Sequence, residues 1–233
     1  MKSNSTTLKL KVAVSWSGGK DSCLSLYRAL CNGFQVSCLL NMIDRDVQKS
    51  MSHGLDAKLL AAQAQAIGIP IVQPETTRDT YEQELKRTVE QLKQKGVKGV
   101  VSGDIHFQEH KDWIDRVYGE LEVVPILPLW GAQPEYILSS FIDAGFEAMV
   151  VTAKADFFGQ ECLGKRVSGE FRRELDRLRE EFNIDICGEQ GEYHTFVTDG
   201  PLFKRQIKII DSKRELREGY WFLDILRYEI VGK

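Results

Sequence analysis

Six consecutive residues, Ser17, Gly18, Gly19, Lys20, Asp21 and Ser22, combine the residue types that a phosphate site requires. Glycine permits positive φ and lets backbone N–H groups come close to an anion. The string lies between a compact apolar run and an amphipathic one, so it opens a helix. The partial positive charge of a helix N-terminus favours an anion, and Lys20 adds a full charge. Ser17 and Ser22 offer hydroxyls to phosphate oxygens. Asp21 is a poor partner for a bare anion, but it fits a role holding Mg²⁺ against phosphates or capping the helix. The spacing excludes the Walker A loop G-x-x-x-x-G-K-[ST] and the dinucleotide fingerprint G-x-G-x-x-G. The plain alternative is a tight turn with a serine or aspartate cap. The two glycines, Lys20 and the helix start together favour phosphate.

A second polar string, Cys187-Gly188-Glu189-Gln190-Gly191-Glu192-Tyr193-His194-Thr195-Phe196, lies far along the chain. Glu189 and Glu192 are three positions apart with Gly191 between them. Such a pair can orient a nucleophile, accept a proton from it or hold a cationic group. Taken alone it reads as a solvated loop, since exposed glutamate is common. The four histidines are His53, His106, His110 and His194. His106 to His110 matches the H-x-x-E-H zinc-protease pattern, but that pattern needs both histidines on one helix face and a third ligand. Here His106 follows a strand end, and the helix is expected to start near Glu109, so a protease is disfavoured. A metal or substrate site built from these histidines with Asp104 or Asp112 is a weaker reading than four ordinary loop residues.

These strings need a frame. A length of 233 residues gives one large domain or two unequal ones at roughly 150 residues per domain. Hydrophobic content of 42% with 28% charged residues is ordinary for a globular chain and excludes wholesale disorder. A net charge of −3 without a basic block argues against nucleic acid as the main ligand. The five cysteines are odd in number and have no Cys-x-x-Cys spacing, which argues against a disulfide framework, a zinc ribbon or an iron–sulfur cluster. A reducing, cytoplasmic compartment is expected. Residues 1–11 are polar and lack a signal peptide's apolar core, and no run reaches the roughly 18 apolar residues of a membrane span.

Hydrophobic periodicity predicts strands at 8–16, 34–43, 69–72, 97–102, about 122–127 and 147–152. It predicts helices at 20–32, 54–67, 80–95, about 109–119, about 134–144 and 168–182, with 44–52 a polar, mobile loop. Strands alternating with helices imply βαβ units, an α/β fold with a doubly wound parallel sheet, and ligands at the carboxyl ends of its strands. By that logic Asn41 and Met42, at the end of the second strand, meet an adenine, and Gly103 and Asp104 complete a nucleotide pocket. After 182 the pattern changes. Residues 184–203 read as irregular and Gly-rich, and 204–211 and 221–231 as two antiparallel strands of a smaller C-terminal α+β part. The expected division is a nucleotide-binding domain at 1–128 and an acceptor domain at 129–233. Trp130, Phe157 and Phe158 read as core or loop anchors.

The Ser17–Ser22 string resembles the pyrophosphate loop of the N-type ATP pyrophosphatases, which cleave ATP between its α- and β-phosphates. Together with the 187–196 string, the following Asp199-Gly200-Pro201-Leu202-Phe203, Ser52-His53-Gly54, Gly103-Asp104, Pro128-Leu129-Trp130 and Leu163-Gly164, it resembles the diphthine–ammonia ligase family over essentially the whole chain. That resemblance implies an adenine nucleotide alpha hydrolase-like fold and ATP-dependent amide synthesis. A substrate carboxylate attacks the α-phosphorus, and ammonia then displaces AMP. It implies ATP and Mg²⁺ as cofactors, with Ser17, Gly18, Gly19, Lys20 and Ser22 on phosphates and Asp21 on the metal. It implies Lys20, Asp21, Glu189 and Glu192 as catalytic, and His53, Gly188, Gln190, Gly191, His194 and Thr195 facing the acceptor. The implied partners are an acceptor carboxylate, either diphthine on elongation factor 2 or a small molecule, and ammonia, with neither membrane nor nucleic acid. Two departures stand out. His194 sits where the eukaryotic and archaeal ligases tend to have glutamate. The acidic, histidine-bearing segment 103–115 replaces a basic one. They look like a bacterial-type branch, for which a corrinoid precursor is an alternative acceptor and a non-catalytic ATP-binding regulator an alternative class.

Overall fold

The computed structural model describes residues 9–233. Leu8, the first residue of the first expected strand, lies outside them. The elements run β1 (Lys11–Ser15), α1 (Lys20–Cys31), β2 (Gln35–Leu40), β3 (Ile43–Asp44), α2 (Ala57–Ile67), β4 (Ile71–Val72), β5 (Glu75–Thr76), α3 (Tyr81–Gln94) and β6 (Gly99–Val101). They continue with α4 (Gln108–Glu120), β7 (Val124–Ile126), α5 (Pro134–Asp143), β8 (Glu147–Lys154), α6 (Gly169–Phe182), β9 (Tyr193–Asp199), β10 (Arg205–Arg217) and β11 (Tyr220–Gly232).

Five strands pair in parallel in the order β4-β2-β1-β6-β7. The chain winds outward one way from β1 and the other way from β6, so the order reverses between these two neighbours. That switch point leaves a crevice at the strands' carboxyl ends. Alternation along β1 shows why both faces are covered. Val12 and Val14 join one apolar cluster with Leu24, Leu26, Leu59 and Leu60 of α1 and α2. Ala13 joins another with Leu85, Val89, Ile114 and Val117 of α3 and α4. A strand buried on both faces reads as a continuous apolar run.

Helix ends follow local chemistry. Asp56 caps α2 by accepting from the Lys58 N–H at 2.7 Å, and Gly68 ends it at φ +85°. Ser168 caps α6, and Asn183 closes it in the left-handed region. Pro134 opens α5 at its first turn, where its missing N–H is harmless.

Three expectations need correction. The strand at 147–152 does not extend the parallel sheet. As β8 it belongs to a second, antiparallel sheet of order β10-β11-β8-β9, so the change of architecture precedes α6. The stretch 184–203 is not wholly irregular: β9 runs through it, paired along β8. The segment 44–52 is tied down, with β3 pairing β5 and isolated bridges joining Ile43 to Ser50 and Lys49 to Asp56. The β10–β11 hairpin is also longer than the pattern predicts. The apolar cluster around Val12 and Val14 continues into Val150, Phe196 and Leu223 of the second sheet. Among the described residues no helix is long and apolar enough to cross a membrane.

Candidate active site

The phosphate-loop string turns from β1 into α1 at the switch point. Gly18 has φ +78°, and a Cβ there would stand 2.4 Å from Leu60 Cδ2 and 2.8 Å from Gln63 Oε1, so only glycine fits. The fully buried Gln63 locks the turn. Its Nε2 donates to the carbonyls of Gly18 (3.0 Å) and Val197 (2.7 Å), and its Oε1 accepts from Trp16 Nε1 (2.9 Å). The second sheet completes the loop. The Val197 N–H donates to Gly18 O, and the Lys20 N–H donates to Thr195 Oγ1, both at 3.0 Å. Ser22 Oγ donates to Gly19 O, and Ser17 Oγ lies 3.2 Å from Ser22 Oγ, so both hydroxyls are ordered within the loop.

Lys20 is buried, and its ammonium donates to Asp21 Oδ2 at 2.8 Å and to the Cys187 carbonyl. An ammonium has three donors, so one remains for a ligand. Burial works against the charge on Lys20, but the adjacent Asp21 carboxylate outweighs it and keeps the lysine protonated well above its ordinary range. Burial lifts the Asp21 carboxyl, and Lys20 draws it partly back. Asp21 Oδ1 is buried without a partner. One engaged and one open oxygen on a carboxylate at a helix N-terminus suit a divalent cation held beside phosphates.

The second string divides into a wall and a support. Glu189 lines the cleft, with its Oε1 accepting from the Ile105 N–H (2.5 Å) and its Oε2 from the His106 N–H (2.9 Å). It thereby clamps the connection from β6 to α4 onto this loop. Glu192 is turned inward, against expectation. It is buried, and its carboxylate accepts from the N–H groups of Asp185 (2.7 Å) and Gln190 (3.1 Å). Both oxygens are committed to shaping the loop, and Glu192 does not line the cleft. Gln190, which is exposed, and Gly191 do not line the cleft, whereas Gly188, His194 and Thr195 do.

The cleft has a volume of about 690 Å³. Met42 lines it at the end of β2. Asn41 lies behind, donating to Trp16 O (2.7 Å) and Ser50 Oγ (2.8 Å), and so fixes the β2 end against β1. Gly103 lets the end of β6 touch the start of α1: a Cβ there would be 3.1 Å from both Asp21 C and Ser22 N. Asp104 follows and lines the cleft.

The four histidines fall into separate groups. His53 and His194 stack beside Gly19 with ring centroids 4.3 Å apart. Burial first, then mutual repulsion and Lys20, holds His53 neutral, and burial brings His194 down to about 4. His106 faces Glu189 and Asp185, while His110 contacts Asp104. His106 precedes α4, and the two histidines of the H-x-x-E-H match have different partners, so they do not converge on one ion. His106, Asp185 and Glu189 lie close enough to suggest a metal site. However, both carboxylates already accept backbone N–H bonds, Asp185 from Cys187 and Glu189, so the group serves as a loop clasp.

Sequence reasoning missed Gln63, Asp185 and an aromatic end of the cleft formed by Tyr81, Trp113 and Tyr118 beside Arg78. Tyr81, Trp113 and Tyr118 lie on the faces of α3 and α4 that pack towards the sheet, which looks like ordinary core spacing. Gln63 and Asp185 satisfy partners distant in sequence and leave no local signal.

Comparison with known proteins accords with this geometry. The family model of the diphthamide synthase N-terminal domain matches residues 10–125, and that of its C-terminal domain matches residues 133–231. A diphthine–ammonia ligase of Rattus norvegicus is 28% identical over 96% of this chain and 91% of its own length. The Danio rerio protein of that name is 30% identical over 84% of each chain. The Homo sapiens protein is 28% identical over 87% of this chain and 84% of its own. A solved structure from Methanocaldococcus jannaschii, described as a predicted subunit of tRNA methyltransferase, covers 82% of this chain and 98% of its own at 15% identity and a TM-score of 0.47, too loose a likeness to carry weight. The two matched domains and the Danio rerio relative place the chain in the diphthamide synthase family.

Proposed function

We propose that this chain is an ATP-dependent ligase that turns a substrate carboxylate into an amide. The carboxylate attacks the α-phosphorus of ATP, releasing pyrophosphate, and ammonia displaces AMP from the acyl-adenylate. The relatives' shared name supplies the acceptor, diphthine, carried on elongation factor 2, and the setting is the cytoplasm. The observation that carries the reading is the buried Lys20 paired with the half-buried Asp21 at the start of α1, set at the switch point and closed over by 187–195.

Most of the catalysis is positioning and charge stabilisation. Ser17, Ser22, the loop N–H groups around Gly18 and Gly19, and the remaining Lys20 donor hold the phosphates and the departing pyrophosphate. Met42 meets the adenine at a β2 end steadied by Asn41, and Gly103 and Asp104 close the nucleotide pocket. Asp21, with its open Oδ1, would hold Mg²⁺, which supplies charge neutralisation on the phosphates. His53 and His194, kept neutral, offer hydrogen bonds without adding charge, and with Gly188, Glu189 and Thr195 they face the acceptor. Gln190, Gly191 and Glu192 give that wall its shape. In this reading residues 1–128 hold the nucleotide and 129–233 the acceptor, with neither nucleic acid nor membrane as a partner.

One observation favours a second acceptor. The lip at 103–115 carries Asp104, Glu109 and His110 where the family resemblance calls for a basic segment. A small carboxylate such as a corrinoid precursor fits that difference. Purified protein with ATP, Mg²⁺, ammonium and diphthine-bearing elongation factor 2 tests the reading, with Lys20→Ala as control. AMP that requires the acceptor and vanishes in the variant is the expected result. AMP only with corrinoid acids would move the acceptor, and ATP binding without AMP under any acceptor would remove the ligase and leave a regulator.

A further inference from the structure

We propose that His110, oriented by Asp104, is the base that takes a proton from the nitrogen as it attacks the activated carbonyl. This inference rests on the amide-ligase reading above and adds a catalytic residue to it.

The reaction creates the need. Ammonia's lone pair attacks the acyl carbon and a C–N bond forms. The tetrahedral adduct collapses as the C–O bond to AMP breaks, and AMP departs as a phosphate monoester. The nitrogen then carries one proton too many for a neutral amide, and a side chain near the carbonyl must accept it. Neither glutamate of the 187–196 string is free for this. Both oxygens of Glu189 accept backbone N–H bonds, and so do both of Glu192. His53 and His194 lie beside the phosphate loop and Lys20, and burial with that charge makes them weaker bases than a free imidazole.

His110 lines the cleft from the first turn of α4 and stays exposed. Its Nδ1 lies 3.3 Å from Asp104 Oδ1, so an Nδ1–H donates to that carboxylate and leaves the Nε2 lone pair for a proton. Asp104 itself follows Gly103, whose Cα packs against Asp21 and Ser22, so the dyad lines the cleft beside the phosphate loop. The groups facing His110 are Asp104, Glu189 and Glu109, with the Phe107 ring edge-on at 4.8 Å. All three charges are negative. The Asp104 hydrogen bond makes the imidazole a stronger base than a free one; burial opposes it, and the three negative charges add to it.

The test separates the two half-reactions on full-length protein. Acceptor-dependent exchange of labelled pyrophosphate into ATP reads activation, and acceptor amide reads the ammonia step. His110→Gln should lower amide formation about 100-fold, the usual scale of one general base, and lower exchange far less. Hydroxylamine, whose adduct nitrogen is far more acidic and sheds its surplus proton to water, should restore much of the variant's rate as hydroxamate. Asp104→Asn should shift the acid limb of the amide-forming rate to lower pH, because it removes the charge that strengthens the base. Equal losses in both half-reactions, an unmoved acid limb or an undiminished ammonia step in His110→Gln would overturn the proposal while leaving the ligase intact. A wild-type protein without acceptor-dependent exchange would remove the ligase reading, and the base with it.

Discussion

The backbone N–H of Lys20 donates to the hydroxyl of Thr195, 175 positions further along the chain, at 3.0 Å. The first turn of α1 is thus capped by a strand of the other sheet. With Val197 N–H on Gly18 O and Lys20 Nζ on Cys187 O, the bond makes one site of two distant strings.

Thr195→Val removes the hydroxyl and leaves the buried Lys20 N–H without its acceptor. Such a loss costs about 1 kcal/mol or more, so ATP affinity should fall roughly fivefold or more, with Thr195→Ser close to wild type. Calorimetric titration with ATP measures it. Undiminished affinity in Thr195→Val would separate the strand from the nucleotide site.

Gln63→Leu keeps the volume but takes the side-chain partner from the Trp16 indole N–H and the Val197 carbonyl, while the Gly18 carbonyl keeps only the Val197 N–H. With buried groups costing about 1–3 kcal/mol each when unpaired, urea unfolding should show a loss of roughly 2 kcal/mol or more. A loss under about 0.5 kcal/mol, the usual scale of an inert surface change, would mean the amide is not the keystone of the loop.

His194 is held neutral in the folded chain, with its value down at about 4, while the unfolded chain protonates near 6.5. The unfolded state therefore binds the extra proton first. Stability is unaffected above about 6.5, and declines as pH falls from there to about 4. His194→Gln should flatten that part of a stability-versus-pH curve measured by urea unfolding. An unchanged slope would show that the imidazole titrates freely.

Glu192→Ala should lower thermal stability, since it strips the acceptors from the Asp185 and Gln190 N–H groups. The remaining activity should keep the wild-type pH profile, because this carboxylate exchanges no proton in the cleft. A stable variant with a displaced acid or alkaline limb would restore the catalytic role expected from sequence.

Much of this was legible in the residues. The phosphate loop is local chemistry, a strand, two glycines and a lysine opening a helix, and the parallel sheet follows from alternating periodicities. The second sheet was harder to read. Buried strands look alike whether their neighbours run parallel or antiparallel, so nothing in the 147–152 run marks β8 as a partner of β9. β9 itself follows Gly188 and Gly191 and carries His194 and Thr195, polar residues placed there because they touch the phosphate loop, and they hide an otherwise strand-like run. Glu192 resembles a catalytic carboxylate in sequence, and only the fold reveals its two N–H partners.

The central claim is that ATP is split between its α- and β-phosphates to form an amide. Its most direct test is stoichiometry, with ¹⁵N-ammonium, diphthine-bearing elongation factor 2 and ATP labelled at the α-phosphate. One AMP is expected for each ¹⁵N atom found in the acceptor by mass spectrometry, and neither product with Lys20→Ala. Labelled ADP in place of AMP, or AMP accumulating without ¹⁵N in the acceptor, would contradict it.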